Sequence, residues 1–170
     1  MDNYIERLMT SKLFLWIVIH GFIEKGISNA TDIISQVRPD KRRALAEEIA
    51  ERSRLRKFLN GKSTRIIEAG EIPTYENERD SVIEYSRATK ELLNDEDFMQ
   101  LLSEFVEEKQ IKIVDEMAVG WGQHLKNLAD DLARTKMLPD FMSNLAKLED
   151  EVYKDEKEQA ELKEEEDLSD

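Results

Sequence analysis

No cysteine occurs in the chain. Disulfides, thiolate metal sites and cysteine nucleophiles are therefore excluded, and a cytoplasmic setting is the natural expectation. Histidine, the other common acid–base and metal residue, occurs only twice. Proline occurs three times and glycine six times in 170 residues. Punctuation that sparse favours long helices over turn-rich sheets. No stretch alternates apolar and polar residues convincingly, and no Asn-Gly hairpin signal occurs. A long apolar run is missing as well. The strongest, LFLWIVI from Leu13 to Ile19, extended by Phe22 and Ile23, is about half of the roughly 20 residues that a membrane span requires. Asp2 and Glu6 do not suit the basic leader of a signal peptide, and no small-residue cleavage site follows. The run reads as a helix buried on most faces, and no membrane is expected as a partner.

Charge is abundant. Charged residues make up 37% of the chain and the net charge is −13. Its distribution is uneven. Residues 1–37 carry a net −1, residues 38–66 a net +6, residues 67–148 a net −9 and residues 149–170 another −9. One basic segment thus sits in an acidic protein, the most informative feature of the sequence.

The length suits one domain, or one domain with an appendage. The predicted fold is all-α, a multi-helix bundle with long helices and an acidic C-terminal tail. Residues 1–60 form an N-terminal three-helix segment, basic in its last helix. Residues 61–74 are a connector, 75–150 a long-helix part and 151–170 the tail. Thr10 or Ser11 caps a helix reaching about Lys25, with Gly26 as its stop. Asn29 or Thr31 opens a short helix that Pro39 breaks, and Asp40 caps the next, through Leu59. A helix from about Tyr75 to Leu93 presents Val82, Tyr85, Ala88 and Leu92. Asn94-Asp95 starts another, and Ile113, Met117, Trp121, Leu125, Leu128 and Leu132 continue its apolar stripe. Pro139 ends that run, and Asp140 caps the last helix. The tail is helical at first, through Glu/Lys pairs, and frays beyond.

Four features invite chemistry. Gly61-Lys62-Ser63-Thr64 has the spelling of a phosphate-binding loop. However, Arg56 stands where the motif needs its first glycine, and a helix rather than a strand precedes it. Gly61 reads as a helix end, and no nucleotide or other cofactor is expected. His20 has Glu24 four residues on, and His124 has Glu116 two turns earlier. Neither makes the repeated Glu-x-x-His of a di-iron bundle. The carboxylates Glu104, Glu107, Glu108, Asp115, Glu116, Asp130 and Asp131 read as a solvated helix face. Gly120-Trp121-Gly122 is a candidate helix–helix contact, because glycine in a helix costs about 1 kcal/mol against alanine.

The basic segment supports two readings. Lys41, Arg42, Arg43, Arg52, Arg54, Arg56, Lys57 and Lys62 could meet nucleic acid or an acidic partner. Residues 30–66 would then act as a helix-turn-helix-like unit, with Lys41 to Arg43 near base edges. Glu47, Glu48 and Glu51 on the same helix oppose that. The simpler reading packs the basic helix against the acidic helices of 75–132, with the tail free to shield the basic patch. The function that fits best is a non-enzymatic helical interaction or regulatory protein working through protein partners or self-association. A nucleic-acid-binding regulator is the first alternative, and a helical enzyme with a carboxylate or histidine site the least favoured.

Overall fold

The structure is a computed structural model. It describes residues 3–119 and 123–169, with side chains outside 123–126. Among the described residues every regular element is a helix, and no strand occurs. The all-α expectation therefore holds.

A first turn of helix, α1 (Tyr4–Leu8), is capped by the Asn3 side chain, which accepts from the Ile5 N–H. Ser11 caps α2 (Lys12–Phe14) by accepting from the Phe14 N–H at 3.3 Å. The chain then winds as a π-helix over Leu15–Lys25 and returns to α-geometry in α3 (Gly26–Ile34). Such a long π segment is unusual. It coincides with the most apolar stretch, where Trp16 to Ile19 and Gly21 to Ile23 are all buried. The predicted buried helix is therefore present, but its predicted stop is not. Gly26 has helical torsions of −62° and −44°, so the rod continues through it. Asn29 and Thr31 accordingly lie inside α3 and do not open it.

Helix α4 (Pro39–Asn60) folds back along α3. Its N-cap is Arg38, and Pro39 is its first residue. Proline suits that position, because the N–H it lacks would have had no helical partner. Asp40 therefore lies in the first turn, where its charge favours the helix dipole, and is not the cap. Gly61 closes α4 with its N–H on the Lys57 carbonyl. A non-helical strap follows, and Gly70, at φ +71°, supplies a conformation that other residues rarely adopt.

Helix α5 (Glu78–Leu93) starts three residues later than predicted, because the Asn77 side chain caps it by accepting from the Asp80 N–H at 2.8 Å. Helix α6 (Glu96–Val119) is opened by Asp95, whose carboxylate accepts from the Phe98 N–H. Helix α7 (Gln123–Arg134) runs back along it, as the hydrogen bond from Gln110 Nε2 to Thr135 Oγ1 requires. The apolar stripe predicted from Ile113 to Leu132 is thus divided between two antiparallel helices. Ile113 and Leu128 are buried. Gly120, Trp121 and Gly122 lie outside the described residues.

Pro139 does not end the preceding run. It sits in the first turn of α8 (Met137–Ala146), which tolerates proline, and Asp140 follows it there without capping. Helix α9 (Leu148–Ser169) covers the start of the acidic segment, as expected, and also its later part, where fraying is expected, with no buried residue along its length.

One apolar cluster joins the elements. It runs from Ile5 and Leu8 through Phe14 to Ile23, Leu55 and Leu59, Ala69, Leu92, Phe98 and Phe105 to Leu138 and Met142. Residues from 1–60 and 75–150 share this core, and the strap contributes Ala69. On α5 the buried face is Ile83, Ser86, Ala88, Thr89 and Leu92, while Val82 and Tyr85 are half-buried. Ser86 ties the α8–α9 junction: its Oγ donates to the Ala146 carbonyl and accepts from the Glu149 N–H at 3.0 Å.

Candidate functional site

The basic residues of the 38–66 segment do not share one face. Lys41, Arg42 and Arg43 are exposed at the start of α4. Arg42 donates from Nε to the Val37 carbonyl, and Arg43 pairs with Glu47 at 3.4 Å. Arg54 turns inward. Its guanidinium donates to Glu51 at 2.8 Å and to the Phe105 carbonyl at 3.1 Å, and lies 3.6 Å from the centre of the Phe105 ring. Arg52 also turns inward, toward Phe22. Arg56 is half-buried and its Nε has no hydrogen-bond partner. Lys57 is exposed, and Lys62 lies over the Phe58 ring.

The ion pairs between α4 and the acidic half run opposite in sign to the expectation. The acids belong to the basic helix. Glu51, only 2% exposed, accepts from Arg54 and from Lys109 of α6 at 2.9 Å, and Glu47 accepts from Arg134 of α7. Burial disfavours the Glu51 carboxylate, but the hydrogen bonds and charges of Arg54 and Lys109 outweigh it and leave its pKa below the usual glutamate value. The acidic segment of α9 does not cover α4 in this arrangement. It lies along α5, with Glu149 on Arg87 and Lys90 at 2.8 and 3.0 Å and Glu156 on Arg79.

The Gly61-Lys62-Ser63-Thr64 stretch follows a helix and is engaged internally. Glu6 accepts from the Thr64 N–H at 2.7 Å, and Asn3 donates to the Lys62 carbonyl. A carboxylate of the chain itself thus occupies a backbone N–H that a phosphate would need. His20 Nδ1 lies 3.6 Å from Glu24. Among the described residues no cluster of three or more His, Asp or Glu is arranged to hold a metal ion. The side chain of His124 lies outside those described.

Two arrangements that periodicity does not show emerge from the packing. The first is a cavity of about 530 Å³ walled by the π-helix, α3, α4, the strap, α5 and Phe141 of α8. Trp16, His20, Lys25, Arg52 and Tyr85 line it. Ile72 and Pro73 of the strap separate it from a neighbouring cleft of about 660 Å³ on the side of Lys12 and Glu91. Burial pushes the Tyr85 phenol up to about 12. Its ring sits 5.1 Å from that of Trp16.

The second is the outer face of α6. Ile111 and Val114 are 60% and 54% exposed, and Val119 is 75% exposed. Ile111, Val114 and Ala118 stand three and four residues apart, so they share one helical face. That face lies opposite the one buried through Phe98, Leu102 and Phe105. Exposed Glu107, Glu108 and Asp115 flank it, with Lys112 3.8 Å from Glu108.

No protein-family model, curated protein or solved structure matches this chain. Among the described residues no helix is long and apolar enough to cross a membrane.

Proposed function

We propose that this chain is a non-enzymatic helical interaction protein, and that the outer face of α6 is the surface it presents. The observation that carries this reading is the exposed stripe Ile111, Val114 and Ala118 on a helix whose opposite face is already buried. Apolar anchors at that spacing are how one helix docks on another protein. The acids on its flank, Glu107, Glu108 and Asp115, specify the partner's chemistry: a helical segment combining apolar side chains with lysine or arginine. A second copy of this chain fits less well, because its own stripe would bring the same acids against these. The nucleic-acid alternative draws on fewer groups than the eight basic residues suggest, since Arg52 and Arg54 turn inward from the outer face of α4.

The test uses a photoreactive residue at Ile111, with the same residue at Asp155 of α9 as control, in cells that make the protein. A discrete adduct is expected from position 111, and Val114→Glu should remove it. The crosslinked peptide should carry apolar residues interleaved with lysine or arginine. No adduct, or the same adducts from both positions, overturns the reading. A peptide from α6 itself overturns the foreign partner in favour of self-association. Adducts lost on nuclease treatment turn it toward nucleic acid.

A further inference from the structure

Arg52 is held in the fold by a backbone carbonyl and two rings, with the Glu48 carboxylate one turn earlier acting on it through space. Its Nη1 donates to the Phe22 carbonyl at 2.7 Å, and the guanidinium lies 4.5 Å from the Phe22 ring centre and 6.0 Å from that of Phe141. Among the described residues no carboxylate comes within 4.0 Å of it, and its Nε is buried with no hydrogen-bond partner. Arg54, two residues on, has both Glu51 and the Phe105 carbonyl. Arg52 thus has no carboxylate in contact among the described residues, and Glu48 offsets only part of the cost of its burial.

A cavity lies beside Arg52. Two glycines let Arg52 and Tyr85, which line it, pack close to the helix formed by the π segment and α3. A Cβ on Gly26 would overlap the Arg52 guanidinium, and a Cβ on Gly21 would overlap the Tyr85 hydroxyl. Around the cavity of about 530 Å³ stand the cations Lys25 and Arg52, with Tyr85, Trp16, Pro73 and Phe141. Glu78 lines it too, and Glu24 stands behind His20. The volume falls in the range of small-molecule sites, and the walls are mixed, with His20, Asn29 and Ser81 beside the apolar residues. The cavity also rests on the π-helix, and π segments recur at functional sites.

We propose that this cavity binds a small organic carboxylate with a flat apolar body. The carboxylate lies on the Nη1–Nη2 end of the Arg52 guanidinium, since Nε is enclosed in the protein, and that planar fork matches two carboxylate oxygens. The Tyr85 hydroxyl donates to the same group. The apolar body rests against Trp16 and Phe141. This proposal is independent of the α6 surface, which lies on other residues.

Phenylacetate serves as the probe, titrated into the ¹⁵N-labelled full chain. Amides of the π-helix and of α5 around Tyr85 should shift, and the neutral isostere phenylacetamide should bind at least about tenfold more weakly, the loss expected when a charge-assisted pair is removed. Arg52→Lys, which keeps the charge but loses the fork, should weaken phenylacetate by a similar factor. Tyr85→Phe keeps the ring and should weaken it several-fold. No shifts with millimolar phenylacetate overturn the proposal, as does equal binding of acid and amide. Unchanged affinity in both variants also overturns it. Inorganic phosphate shifting the same amides as strongly as phenylacetate overturns the organic ligand and leaves a bare anion site. The acid–amide comparison needs no variant, so a poorly folding mutant does not blunt the test.

Discussion

Gly21 shows how one missing side chain shapes this protein. It lies inside a helix, where glycine costs about 0.5–1 kcal/mol against alanine. Alanine there would drive its Cβ into the Tyr85 hydroxyl, although the next atoms, Tyr85 Cζ and Phe141 Cζ, leave ordinary distances of 3.4 and 3.5 Å. Gly21→Ala should therefore destabilise by about 1–3 kcal/mol through overpacking. In a Tyr85→Phe background the obstructing oxygen is gone, and the same substitution should become neutral or stabilise by up to about 1 kcal/mol. Thermal unfolding of the four proteins checks this. Additive effects would show that the hydroxyl is not the obstruction.

At the scale of the element, α4 is held by what it buries rather than by its basic surface. Glu51, Leu55 and Leu59 form its buried side. Glu51 is the group most sensitive to change, because it is almost fully enclosed and both its cations must stay. Lys109→Ala leaves it with Arg54 alone and should cost about 1–3 kcal/mol, the range for a charged hydrogen bond removed from a buried partner. The pH dependence follows from the lowered Glu51 pKa. A depressed carboxylate contributes stability that is fully present above its unfolded pKa and is lost as pH falls through the folded one. The wild type should thus lose stability below the ordinary glutamate range. Glu51→Gln should be weaker at neutral pH but lose less on acidification, so the two denaturation midpoints converge in acid. A constant gap between them would mean that Glu51 does not titrate with folding.

For the molecule as a whole, the acidic C-terminal helix divides into an attached part and a free part. Glu149, through Ser86, Arg87 and Lys90, and Glu156, through Arg79, bind the first half to α5. Beyond them Leu162 and Leu168 are exposed and no side chain is buried. A chain ending at Lys157 should therefore melt within about 2–4 °C of the parent, the shift of a small stability change in a protein this size. A chain ending at Ala146 should melt much lower, because Ser86 loses the Glu149 N–H and the α5 cations lose Glu149 and Glu156. Equal melting of the two truncated chains would show that α9 does not brace α5. Removing the free half also takes away acid, yet the α4 cations should gain no exposure by it, since α9 lies on α5.

Helix was legible from the sequence alone, because helix content depends on local backbone preference and on the scarcity of proline and glycine. The buried character of the Leu13–Ile23 run and the helix end at Gly61 were legible for the same reason. Helix ends were less so. Gly26 and Pro139 read as stops, but proline fits a first turn, and Gly26 gives room to Arg52 from a helix far along the chain. The candidate surfaces were the least legible. Arg52 and Arg54 look like surface cations in any local window, and Glu51 and Ser86 look like solvated polar residues. Only the packing of α4 against the π-helix and α6, and of α5 against the α8–α9 junction, decides that these groups turn inward. Local sequence sets whether the backbone can coil. Which face of the coil is buried, and whether a buried charge finds a partner, depends on residues tens of positions away, and tertiary structure alone brings those together.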